Sequence, residues 1–111
     1  MAGLLPLSIE MTDGLVHFGY ADIEFVEDGL AVQGTRLRGH SFHCSRIVGE
    51  GNVAKTAVVN YSISRESERE GFAAGNVFGS YVHLHFAAHP ALAVRFVALA
   101  RSAREKCEAH R

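Results

Sequence analysis

Gly79-Ser80-Tyr81-Val82-His83-Leu84-His85-Phe86-Ala87-Ala88-His89-Pro90 is the stretch on which the reading of this chain turns. Its apolar and aromatic residues predict a strand over 76–86, and Pro90, a favoured first helical residue, opens a helix behind it. Residues two apart on a strand share a face, so His83 and His85 are expected to point at one place. Strand ends of this kind are where α/β proteins usually keep their chemistry.

Beyond Pro90, Leu92, Phe96, Leu99 and Ala103 recur at helical spacing, with Ala93, Val97 and Ala100 beside them. Arg101, Arg104 and Lys106 fall in the last turns, where cations suit the helix dipole. This helix is expected to cover one face of a sheet. Upstream, Ala21, Ile23 and Phe25 alternate with Tyr20, Asp22 and Glu24, the period-two pattern of a half-buried strand. Glu27-Asp28-Gly29 reads as a hairpin turn, residues 30–33 as a short returning strand and residues 36–48 as a longer one. Gly49-Glu50-Gly51-Asn52 is a turn signal, and residues 53–64 form a β-branched strand expected to make a hairpin with 36–48. Residues 3–7 read as an extended segment before a turn at Thr12-Asp13-Gly14. The charge run 65–70 reads as a solvated loop, and 71–75 as a flexible connection. With no repeat or linker in view, the expectation is a single domain over residues 1–111. It is α/β and β-rich, with several strands and hairpins followed by one C-terminal helix.

With 48% hydrophobic residues in 111, the chain can bury one ordinary core. Its formal net charge of -1, from 11 basic and 12 acidic residues, gives no electrostatic case for nucleic acid or an anionic membrane surface. The apolar start is broken by Pro6 and Glu10 and lacks a basic flank, so it reads as neither a signal peptide nor a membrane span. Nothing later reaches the roughly 18 apolar residues that a span needs. Cys44 and Cys107 lie far apart and match no Cys-x-x-Cys spacing, which argues against a disulfide framework or a zinc knuckle and for a reducing, cytoplasmic setting.

Seven histidines carry most of the chemical interest. The His83 and His85 pair suits either a metal or a base beside a second polar group, against the plainer reading of a hydrogen-bonded histidine near a sheet edge. His40 and His43, three apart on a strand, face opposite sides and so do not form a compact cluster with Cys44. One of them can still face the same site as His83 from a neighbouring strand. Cys44 reads as a packed small apolar residue, and Cys107 sits near a helix end where the dipole opposes thiolate formation. No GxGxxG, GxxxxGK[ST] or GxSxG motif occurs, so no cofactor is expected on this chain alone.

Two blocks carry a resemblance. Arg38-Gly39-His40-Ser41-Phe42-His43-Cys44-Ser45 resembles the Arg-Gly-His-Glu-Phe-His-Tyr-Ser block of the cobyrinic acid a,c-diamide synthase family, and Gly79-Ser80-Tyr81-Val82-His83-Leu84-His85-Phe86 its Ala-Ser-Tyr-Val-His-Leu-His-Phe block. Met1-Ala2-Gly3-Leu4-Leu5-Pro6, Phe18-Gly19-Tyr20 and His89-Pro90 fall in the family's order, so the resemblance covers nearly the whole chain. It implies the C-terminal part of a class I glutamine amidotransferase domain of flavodoxin-like fold. In the family that domain follows an ATP-binding domain of the dethiobiotin synthetase type, with ATP and Mg as implied cofactors. Ammonia from glutamine then amidates carboxylates of a corrinoid or other tetrapyrrole.

The family's catalytic histidine carries over to His83, with His40, His43 and His85 as residues that could line its site. The family's nucleophilic cysteine lies upstream of the Met-Gly-Leu-Leu-Pro block, so this chain is expected to be inactive alone. Ser41 stands where the family has Glu, and Cys44 where it has Tyr. The chain is then read as a shortened piece, the product of a split gene, or a remnant with another role. It is expected to pair with an upstream amidotransferase and ATP-binding polypeptide, or with a second copy of itself, through exposed sheet edge or apolar surface. Two other readings stay open: a small β-rich metal-binding module using His83 and His85, with or without His40, and a non-catalytic interaction domain.

Overall fold

The computed structural model describes residues 4–109, and at His17 the backbone alone. Seven strands and one helix follow in order: β1 (Leu7–Met11), β2 (His17–Phe25), β3 (Arg36–His43), β4 (Ser45–Glu50), β5 (Ala54–Tyr61), β6 (Ser67–Ala74), β7 (Val77–Gly79) and α1 (Pro90–Ala109). β1 and β4 make a two-stranded ribbon, and the other five form a sheet in the order β3-β2-β5-β6-β7. Every pairing between these strands is antiparallel. The described residues are therefore strand-rich with a single C-terminal helix, as the sequence suggests.

The period-two pattern of β2 fixes the core. Ala21, Ile23 and Phe25 are buried on one face, where they meet Ala57, Val59 and Tyr61 of β5, with Ala31, Val82 and Leu92 closing over them. The turn at Thr12 forms as read, Thr12 Oγ1 donating to Gly14 O at 2.7 Å. Pro90 is the first residue of α1.

Several expectations give way. Residues 30–33 form bends and a turn instead of a strand, inside the connection that closes β2 onto β3 through Gly34 N to Phe25 O at 2.7 Å. The expected strand 36–48 breaks at Cys44, and its two halves join different sheets. Consequently it makes no hairpin with β5, which lies between β2 and β6. Of the charge run, Ser67 to Glu70 is strand, because pairing with β5 (Val58 with Arg69, Val59 with Glu68) outweighs what composition alone suggests. The tight return into β6 puts Arg65 at φ 61°, a left-handed conformation unusual for a non-glycine residue. Residues 71–74 continue the same strand; Gly71, at φ 67°, packs against Thr56, whose hydroxyl donates to Gly71 O at 2.6 Å. The strand expected over 76–86 stops at Gly79. Of the extended segment 3–7, Gly3 lies outside the described residues, as do Met1 and Ala2 of the opening block.

α1 covers the sheet only in part. Leu92 is its one buried residue, Arg95 donates to Gly29 O at 3.0 and 3.3 Å, and Phe96 leans on Phe86 with ring centroids 5.7 Å apart. Beyond them the helix diverges over an open groove of about 740 Å³ lined by Leu30, Phe78, Phe86, Phe96 and Leu99. Among the described residues no helix is long and apolar enough to cross a membrane.

Candidate functional site

The segment after β7 leaves its sheet because Ser80 and Tyr81 turn onto Glu70. The Ser80 hydroxyl and the Tyr81 N–H (3.0 Å) both donate to Glu70 Oε1, and Val82 N donates to Ser80 Oγ at 2.9 Å. Residues 82–84 then cross to the far edge of the sheet, where His83 and His40 form a single antiparallel bridge. His83 N donates to His40 O at 2.8 Å and His40 N to His83 O at 3.2 Å. Opposed residues in such a bridge send their side chains to the same side. The two imidazoles accordingly lie with ring centroids 4.7 Å apart and planes tilted by 35°. Both are exposed, in a row with Tyr20, the cross-strand partner of His40.

Gly39 makes this approach possible. A Cβ there would lie 2.4 Å from the His83 carbonyl oxygen and 2.7 Å from Val82 Cγ1. Backbone cannot rotate out of the way as a side chain can, so Gly39→Ala is expected to destabilise the fold by about 1–3 kcal/mol. Hydrogen exchange should show the His40 and His83 amides losing protection first; unchanged protection would mean the bridge does not depend on Gly39.

The other expected site residues are placed elsewhere. His85 lies past the bridge at the start of a turn, its carbonyl accepting from Ala88 N at 3.0 Å, and does not share a strand face with His83. The continuous strand through His83 and His85 on which their metal reading was built is not formed. Among the described residues no group of three or more His, Cys, Asp or Glu side chains could hold a metal ion. His43 faces away from His40, as its spacing predicts: it stacks on Tyr81 with centroids 3.7 Å apart and planes 8° off parallel, and its Nδ1–H donates to Ser45 O at 2.8 Å. Ser41 shares that inward face and is fully buried, so its side chain points away from His83. Cys44 is half-buried at the strand break and Cys107 is exposed near the end of α1.

Glu70 and Tyr81 escaped the sequence reading, although Tyr81 sits in the block that carried the resemblance. Glu70 is 2% exposed, and burial pushes its carboxyl above the ordinary 4.5, while the hydrogen bonds from Ser80 and Tyr81 pull the other way without cancelling. Beside it, burial and the Glu70 and Glu68 carboxylates push the Tyr61 hydroxyl up. A folded-state value above the unfolded one means that the folded protein binds the proton more tightly. The stability Glu70 contributes is thus complete below pH 4.5 and lost as pH rises through the folded-state value. Glu70→Gln keeps the accepting oxygen and cannot ionise, so urea unfolding across pH should show a shallower loss of stability above pH 4.5 than wild type. Superimposable pH profiles would remove Glu70 as the cause.

The outer face around His40 and His83 is aromatic. Phe18, Tyr20 and Phe42 are 52%, 64% and 64% exposed, and the Arg38 guanidinium sits 5.2 Å from the Tyr20 ring centroid while pairing with Asp22 at 3.1 Å. His89 fastens the returning loop, its Nε2–H donating to Arg38 O at 3.1 Å.

Residues 1–91, which hold both imidazoles, match the CobB/CobQ-like glutamine amidotransferase domain family. The chain is 36% identical over 105 residues to a cobyrinate a,c-diamide synthase of Syntrophotalea carbinolica, covering 91% of this chain and 23% of that protein. It is 40% identical over 104 residues to a hydrogenobyrinate a,c-diamide synthase of Streptomyces coelicolor, covering 92% and 20%. A cobyrinate a,c-diamide synthase of Salmonella typhimurium is 33% identical over 103 residues, covering 91% and 22%. The chain thus spans about a fifth of the length of these relatives. No solved structure gives a significant match.

Proposed function

Because this chain belongs to the CobB/CobQ-like glutamine amidotransferase domain family, we propose that it is the base-bearing part of such a domain. In this reading it is the C-terminal portion of a class I, flavodoxin-like amidotransferase, and His83 is its general base. The observation that carries the proposal is the presentation of His83 on an exposed bridge at the sheet edge, within the matched residues. Cys44 is half-buried at the strand break and Cys107 lies on α1, so in this reading the nucleophilic thiol is supplied by a separate cysteine-bearing segment.

The chemistry assigned to His83 follows from acyl transfer. The imidazole takes the thiol proton, the thiolate attacks the carboxamide carbon of glutamine, and the imidazolium protonates the departing ammonia. Water then attacks the thioester carbonyl, releasing glutamate and regenerating the thiol. The ammonia would amidate carboxylates of a corrinoid or related tetrapyrrole in the longer protein. ATP and Mg would drive that amidation, but the chain has no phosphate-cradling loop and no cluster for a metal among its described residues, so no step here runs through them. The exposed Phe18, Tyr20 and Phe42 and the open groove under α1 support a partner that buries them, either the cysteine-bearing polypeptide or a second copy.

The test is ammonia release from glutamine when the chain is mixed with a cysteine-bearing amidotransferase segment of a relative, with wild type and His83→Ala compared. Equal release from both mixtures would refute the role of His83.

A further inference from the structure

A general base needs to be held in one orientation, and the usual device is a third group hydrogen-bonded to its far nitrogen. Among the described residues neither His83 nor His40 makes a side-chain hydrogen bond, and no carboxylate reaches His83. Left to itself, an exposed side chain would spread over its staggered rotamers. What the structure supplies in place of a hydrogen-bonded carboxylate is a second ring.

We infer that His40 is a positioning residue for His83, acting through ring contact. The inference rests on the reading of His83 as the base. Three observations carry it. The reciprocal backbone bridge sets the two Cα atoms directly opposite each other. Gly39 lets the His83 backbone come close enough for that bridge to form. The centroid distance of 4.7 Å and the 35° tilt fall in the range of favourable offset aromatic pairs. Contact through the ring face occupies no nitrogen, so both nitrogens of His83 stay free, one for the thiol proton and one for solvent. It follows that the group needed at position 40 is a flat ring, not a charge or a hydrogen-bond partner. Phenylalanine should replace His40, and leucine, of comparable bulk, should not.

The experiment uses the 111-residue chain with labelled histidine rings. Carbon and nitrogen ring spectra are compared for wild type, His40→Phe and His40→Leu, with His83→Ala assigning the His83 signals and the methyl signals of Ala21, Ile23 and Val59 reporting the fold. The expected result is that His83 ring signals keep their displaced positions in His40→Phe and collapse to random-coil positions in His40→Leu while the methyl signals stay in place. In the cysteine-bearing mixture, His40→Leu should lower kcat with KM unchanged, and His40→Phe should restore it. Unchanged His83 signals in His40→Leu overturn the positioning role whatever the ammonia assay gives. Full ammonia release by His83→Ala overturns the base assignment and, with it, the catalytic purpose given to His40.

Discussion

Phe25→Ala is expected to cost about 3–5 kcal/mol, the upper range for emptying a buried aromatic site. The side chain is fully buried at the end of β2, its ring centroid lies 6.1 Å from that of Phe78 in β7, and the residue pairs with Ala57 in β5. Its backbone also closes the loop before β3, with Phe25 N donating to Thr35 O at 2.9 Å and Phe25 O accepting from Gly34 N at 2.7 Å. One cavity there loosens three strands and a loop together. Against a total stability of about 5–15 kcal/mol for small domains, a substantial unfolded population is the expected outcome. Urea unfolding followed by far-ultraviolet circular dichroism measures it, with Phe25→Leu as the milder control. A loss under about 1 kcal/mol would mean that the core does not centre on this ring.

His83→Ala should reduce ammonia release in the cysteine-bearing mixture by about 10²–10⁴-fold, the usual contribution of a positioned general base. The fold should tolerate the change. His83 is exposed, its ring fills no cavity, and the bridge that holds it is made by backbone groups that alanine retains. Activity and stability therefore separate, and circular dichroism of the variant should match wild type. Raising the pH of the assay to favour the thiolate should recover part of the loss, because the missing group's first task is to remove the thiol proton. A variant with no activity but also no native circular dichroism would show that position 83 is structural.

How far the sequence could be read depended on whether local pattern or distant pairing decided each segment. β2 was legible because its alternation is a local signal of a one-sided burial, and the start of α1 because proline suits the first helical turn. The adjacency of His40 and His83, with His43 turned away, was half legible: strand parity separated His40 from His43, but only the tertiary bridge chose which one faces His83. β6 was illegible. Glu68 and Arg69 look like a solvated loop until β5 lies beside them. The stretch 76–86 failed in the opposite direction, because its apolar run hid the fact that buried Glu70 claims the Ser80 hydroxyl and the Tyr81 N–H and ends the strand at Gly79. Strand periodicity likewise could not foresee that residues 36–48 would be divided at Cys44 between two sheets.

The sheet order also carries a consequence for how the chain assembles. β5, β6 and β7 are neighbours in sequence and in space, joined by tight turns, so little loop entropy opposes their meeting. β2 sits between β3 and β5, and its register with β5 joins Ala21 to Tyr61 across the middle of the chain. Pairings of such long separation form slowly. β2 is thus made before β5 and finds its second partner late. During that interval Ala21, Ile23 and Phe25 stand uncovered, which makes β2 the segment through which newly made chains would aggregate.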